Sequence, residues 1–222
     1  MPGWFINCGA FFAKAKAASE SIALQSPGDQ NRTDNDAIVA VLLAVASLEG
    51  FINELADMAS VFRGDPRLAM LAEIVQDLEE DGASLRTKFR IAKWILTSEP
   101  YDEGKRPYQD FKTLLALRNA LVHLKSEKFD FDRETGSVAT DKAPPFLRDL
   151  EAKKLLRVIT TSPSARAPWV ARVSTSAVAL WSCDTAKAMA QSLIDVLPNL
   201  IRLPFAKAFT LDPALSIKAN LT

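Results

Sequence analysis

The sequence predicts an all-α protein, a helical bundle of about five to seven helices with a short β-hairpin or flap. Three observations carry that prediction. Apolar residues recur at steps of three and four through every long segment. Capping residues and breakers stand between those segments. Only 8 of 222 residues are glycine and 48% are hydrophobic, enough for one substantial core. No internal repeat or low-complexity tract interrupts the chain. It therefore reads as a single domain over 1–222, with its core at about 36–197.

Residues 4–24 are apolar and alanine-rich and predict a first helix, ended by Ser26-Pro27-Gly28-Asp29. Thr33, Asp34 or Asn35 is placed to cap a long second helix. Its stripe runs Ile38, Leu42, Val45, Leu48, Ile52, Leu55, Ala59 and Phe62, and Arg63-Gly64-Asp65-Pro66 stops it. A third stretch covers 67–97, with Leu71, Ile74, Leu78, Leu85, Phe89, Ala92 and Ile95 as apolar members. Gly82 bends it or divides it. Trp94 and Trp181 fall in apolar stripes and are assigned to the core, and Glu79-Glu80-Asp81 to a solvated face.

A polar connection from Glu99 to Pro107 leads into a helix from about Tyr108 to Lys125. Phe129-Asp130-Phe131-Asp132 alternates and Glu134-Thr135-Gly136-Ser137-Val138 turns, the signature of a hairpin or extended flap. Residues 146–158 read as a short basic helix and Thr161–Pro168 as a loop. Ser174 or Thr175 can cap a last long helix carrying Val178, Trp181, Met189, Leu193 and Val196, which Pro198 ends or kinks. Pro204 and Pro213 make the apolar tail to Thr222 irregular.

Charge is balanced in total, with 27 basic and 27 acidic residues, but not along the chain. Residues 1–84 hold 5 basic and 13 acidic side chains, and residues 85–222 hold 22 and 14. The second half can therefore attract a polyanion although the net charge is zero. Cys8 and Cys183 are far apart and form no paired spacing, which argues against disulfides and fits a reducing cytoplasm. With one histidine besides, they make a poor zinc set, and no cofactor is expected. No apolar run reads as a membrane span, and Met1-Pro2-Gly3-Trp4-Phe5-Ile6 lacks the basic start of a signal peptide. A cytoplasmic location without membrane partners is the expectation.

The chemistry concentrates in Arg118-Asn119-Ala120-Leu121-Val122-His123, at the end of the run from Phe111. His123 is the only histidine in the chain, and so the only side chain of its kind that titrates near neutrality when unperturbed. Arg118 can hold a phosphate bidentately and stabilise charge developing on it. His123 can take a proton from a ribose 2′-hydroxyl or give one to a leaving 5′-oxygen, and Asn119 can orient either group. Each has a plainer role open to it. Arg118 can pair with Glu49 or Glu54, His123 can sit on a helix C-terminus, and Asn119 can bond a neighbouring backbone.

Arg118-Asn119-x-x-x-His123 at the end of an apolar helix resembles the signature of HEPN domains. Ser47-Leu48-Glu49-Gly50-Phe51-Ile52-Asn53-Glu54-Leu55 adds to the resemblance, because such proteins carry an acidic or amide residue on an earlier helix. Glu49 and Asn53 are the supporting candidates. The resemblance covers about residues 36–197. It implies a bundle that dimerises with two motifs facing each other, and a metal-independent endoribonuclease leaving a 2′,3′-cyclic phosphate. Many members are toxins or phage-defence effectors, which implies RNA as substrate and an antitoxin or regulatory protein as partner. Others only bind nucleotides or proteins, the alternative kept for this chain. A subgroup silenced by nucleotidyl transfer has tyrosine two residues after the histidine, where this chain has Lys125.

A dimer also follows from counting. Acid–base cleavage needs an acid and a base, and one chain supplies one imidazole. The apolar flanks Leu117, Leu121 and Leu124 are assigned to that interface. Lys112, Lys125 and Lys128 are the candidates for holding an RNA backbone, joined by Lys105, Arg106, Arg86, Lys88, Arg90 and Lys93. Tyr108, with Phe129 or Trp169, is the candidate platform for an unstacked base. A helical bundle whose motif is coincidental remains a third reading.

Overall fold

In the computed structural model the backbone is described for residues 6–23, 30–62, 64–124, 129–131, 138–140, 144–157 and 169–210. Among them the chain is all-α. Nine helices occur: α1 (Cys8–Ala23), α2 (Gln30–Val61), α3 (Pro66–Glu80), α4 (Leu85–Thr97), α5 (Tyr108–Val122), α6 (Phe146–Ala152), α7 (Trp169–Val173), α8 (Ser176–Ile194) and α9 (Asn199–Thr210). Between α5 and α6, β1 (Phe129–Phe131) pairs antiparallel with β2 (Val138–Thr140), Phe129 opposite Thr140 and Phe131 opposite Val138.

Local chemistry sets the boundaries. α2 begins at Gln30 rather than at a cap among residues 33–35, because nothing between Gly28 and Gly64 breaks a helix before Asn35 is reached. Asp65 caps α3, accepting from the Arg67 amide at 2.9 Å, with Pro66 at the first helical position. The 67–97 stretch is divided. Gly82 adopts φ +67°, its amide donates to the Glu79 carbonyl, and the Ala83 amide donates to Leu78. A side chain at that left-handed position would be strained. Ser84 then caps α4, and the Thr175 hydroxyl caps α8 by accepting from the Val178 amide at 3.0 Å.

Two expectations near the C-terminus are corrected. α7 lies where no helix was expected, and α9 runs through Pro204. Proline costs a helix interior about 3 kcal/mol. Here Ile201, Phe205 and Phe209 are buried on one face, each able to return about 1.5–3 kcal/mol. The carbonyl that Pro204 leaves unpaired belongs to Leu200, an exposed residue where water can serve it.

The stretch Asn35–Val61 of α2 is long and apolar enough, by length and composition, to cross a membrane, which corrects the expectation that no run is. Alanine, valine and leucine dominate it. The same composition serves a core helix, and half of the apolar window is buried inside the chain.

The described residues fall into two compact units. The first lies within Met1–Lys14, Leu43–Lys112 and Asp184–Thr222, the second within Ala15–Leu42 and Thr113–Cys183. The core of the first is aromatic. Phe51 meets Phe205 and Phe209 edge-on at 5.0 and 5.6 Å, Phe12 lies 4.9 Å from Phe209, and Phe89 lies 5.1 Å from Phe111. Gly9 permits the closest backbone approach, since a Cβ there would stand 2.9 Å from that of Ala208. The second unit packs small residues instead: Ile22, Ala37, Ala40 and Ala179, with Ala18 against them. Phe146 meets Trp169 edge-on at 5.5 Å, and the Thr113 hydroxyl donates to Asp149 at 3.0 Å.

Candidate functional site at the end of helix α5

α5 changes character along its length. Tyr108, Phe111, Leu114, Leu117 and Leu121 recur at threes and fours and are buried. The last turns turn other side chains outward. Ala116 and Asn119 are exposed, Arg118 is half-buried, and His123 is exposed just past Val122. One guanidinium N–H of Arg118 donates to the Asn119 side-chain carbonyl at 3.1 Å. The His123 amide donates to the Asn119 carbonyl at 2.9 Å, continuing the helical pattern one residue beyond α5. Arg118 and Asn119 are thus joined side chain to side chain, and His123 follows one turn after Asn119, exposed to solvent. A phosphate can be met there by a cation, an amide and a proton carrier.

The flanks differ from expectation. Leu117 and Leu121 are buried inside the chain, because they continue the stripe of Phe111 and Leu114. The apolar surface left beside His123 is Val122, 50% exposed, and Leu124, 60% exposed.

Glu49 and Asn53 belong to the first unit, whereas Arg118, Asn119 and His123 belong to the second. One turn apart on α2, Glu49 and Asn53 serve Lys88 of α4. The Lys88 ammonium donates to the Asn53 carbonyl at 3.3 Å, forms an ion pair with Glu79, and feels the Glu49 charge. Lys88 is 6% exposed, and burial holds its ammonium below the usual lysine range, with Glu49 acting in opposition. Glu79 is exposed, as its assignment to a solvated face expects, and from there it pairs with the buried lysine. Glu54 is also engaged: its carboxylate accepts from the amides of Asn7 and Cys8 at 2.6 and 3.2 Å and caps α1.

The candidate RNA contacts separate. Lys112 donates to Glu103 at 3.3 Å and lies 5.9 Å from the Tyr108 ring centre, with Arg86 on the same carboxylate at 3.0 Å. The Lys112 hydrogen bond, with the nearby Arg86 and Arg90 charges, holds Glu103 below the usual carboxylate range. Tyr108 is corrected as a base platform. It is 1% exposed, stacks on Tyr101 at 4.8 Å and 14°, and accepts from Arg86 at 3.2 Å, so neither ring face is free. Lys125 and Lys128, and the Phe129 side chain, lie outside the described residues, as do the 161–168 loop and the tail beyond 210.

Sequence reasoning missed the exposure of Trp94 and the burial of Lys88. The buried arc of α4 is Leu85, Lys88, Phe89, Ala92, Ile95 and Leu96. Trp94 stands about 100° from Ile95 around the helix, off that arc, and Lys88 stands one turn from Leu85 on it. Both were available from the angular positions. Neither cysteine offers a nucleophile, as both are buried, and burial beside Glu54 pushes the Cys8 thiol far up. Among the described residues no three His, Cys, Asp or Glu side chains are grouped to hold a metal ion. No protein-family model, curated protein or solved structure matches this chain.

Proposed function

We propose that the chain is a HEPN-type, metal-independent endoribonuclease, a cytoplasmic toxin or defence effector that works as a homodimer. The observation that carries the reading is the cluster at the end of α5: Arg118 hydrogen-bonded to Asn119 at 3.1 Å, with His123 exposed one turn on. In the proposed reaction the ribose 2′-oxygen attacks the adjacent phosphorus as one His123 takes its proton. The O2′–P bond forms and the P–O5′ bond breaks. His123 of the second copy protonates the leaving 5′-oxygen. The Arg118 guanidinium holds the charge that gathers on the phosphoryl oxygens. Val122 and Leu124 beside His123 are the exposed apolar surface that a second copy would cover.

The test is cleavage of a labelled single-stranded RNA by the purified chain in EDTA. The expected product is a 5′ fragment ending in a 2′,3′-cyclic phosphate, with DNA and 2′-O-methylated RNA uncut. Activity lost in EDTA and restored by magnesium overturns the mechanism. RNA bound but left intact transfers the reading to a non-catalytic binding module.

A further inference from the structure

Helix α4 carries the most one-sided charge in the described chain. Its thirteen residues include Arg86, Lys88, Arg90 and Lys93 and no carboxylate. Lys88 faces inward to Asn53 and Glu79, whereas Arg86, Arg90 and Lys93 follow one another at four and three residues, one stripe on the outer side. Arg90 makes no ion pair among the described residues. Lys112 of α5 adds a further cation through Glu103, the carboxylate it shares with Arg86.

Beside this stripe stands Trp94, one turn from Arg90 and 56% exposed. An indole can bury 150–250 Å² in a core, so a tryptophan held out in water leaves apolar area for something else to cover. A flat apolar ring set among cations matches a partner with flat apolar groups strung on anions. An acidic polypeptide would satisfy the cations but has no need of the indole. A duplex would present phosphates but keeps its bases stacked away.

We propose that the outer face of α4 grips single-stranded nucleic acid, with Arg86, Arg90 and Lys93 along the phosphates and Trp94 stacked on a base. The choice of strand rests on the ribonuclease reading, and the grip itself does not depend on cleavage.

The test is binding of a fluorescently labelled single-stranded RNA, on the order of 20 nucleotides, by the full chain carrying His123→Ala, so that cutting is not read. Adding Trp94→Ala weakens binding roughly 5- to 150-fold. Adding Arg90→Glu with Lys93→Glu weakens it more than tenfold and lowers the slope of log affinity against log salt by about 1.4. Single-stranded DNA of the same sequence binds comparably, and duplex RNA binds more weakly and ignores Trp94. Indole quenching on binding disappears with Trp94→Ala although Trp4, Trp169 and Trp181 remain. All these side chains reach solvent, so thermal midpoints should stay within a few degrees of the parent. Unchanged RNA affinity in folded variants overturns the proposal, as does polyglutamate bound as tightly as RNA. Cleavage by the otherwise native chain with α4-independent binding sinks this proposal alone. α4-dependent binding without cleavage sinks the ribonuclease reading alone.

Discussion

Two polar clusters in this molecule are built in opposite ways. At Lys88 a buried ammonium of α4 is held by side chains from two other helices, Asn53 of α2, Glu79 of α3 and, through its charge, Glu49 of α2. At the end of α5, Arg118, Asn119 and His123 come from six consecutive residues, and the imidazole faces water. The first arrangement spends tertiary packing on fixing a charge. The second leaves its groups open to a ligand. Burial of polar groups among many partners marks architecture here, and a short exposed run of complementary groups marks the candidate site.

The comparison breaks first, and by the largest factor, at His123. His123→Ala or Arg118→Ala should lower RNA cleavage by about a hundredfold to ten-thousandfold. Stability should change by no more than about 0.5 kcal/mol for His123→Ala, since an exposed side chain is removed. Growth of bacteria expressing each variant, beside a urea unfolding curve, checks both halves. Equal growth inhibition by the native chain and both folded variants would separate the motif from any toxicity.

Lys88 should behave in reverse. Lys88→Ala leaves a cavity and strands Asn53, and is expected to cost about 2–3 kcal/mol. That is less than the 3–5 kcal/mol of a fully buried broken pair, because the Glu79 carboxylate reaches water. Lys88→Met restores the volume without the charge and should recover most of the loss. Denaturant midpoints for the three chains decide it. A Lys88→Met chain as unstable as Lys88→Ala would mean that the ion pair to α3 and the hydrogen bond to α2, not the filled space, hold α4 in place.

pH sharpens the same contrast. Burial lowers the Lys88 ammonium below 10.5 in the folded chain. Between that lowered value and 10.5 the unfolded chain binds more protons, so this group makes stability rise as pH increases. The native chain should therefore gain on Lys88→Met between neutral pH and about pH 10, with other titrations cancelling in the difference. A gap that stays flat over that window would show the ammonium to be well solvated, and one that narrows would show its carboxylate partners to outweigh its burial.

The legible parts of the sequence were those where periodicity and breakers agree. The α2 stripe from Val45 to Ala59, the division at Gly82 and the Thr175 cap each follow from one local rule. The helix under the motif was legible for the same reason, and the Arg118–Asn119 bond needs only neighbouring residues. What escaped depends on partners distant in sequence. Asn53 and Lys88 are 35 residues apart, and Arg86 and Tyr108 are 22 apart. Pro204 escaped differently, because three buried side chains outweigh a local rule that is sound by itself.

The smallest expected effect tests the corrected residue, Tyr108. Its hydroxyl accepts from Arg86, whose guanidinium also binds the exposed Glu103, so the bond lies at the edge of water. Its ring is buried between Tyr101 and Phe111, at 4.8 and 5.9 Å. Tyr108→Phe keeps the ring and removes one hydrogen bond, which should cost about 0.5–1.5 kcal/mol. RNA affinity should be unchanged in the same chain, because no face of the ring is offered to a base. Calorimetric melting and RNA titration on this one variant answer together. A Tyr108→Phe chain of native stability with weakened RNA binding would restore Tyr108 to the nucleic-acid surface. It would also require the stack with Tyr101 to open when RNA binds.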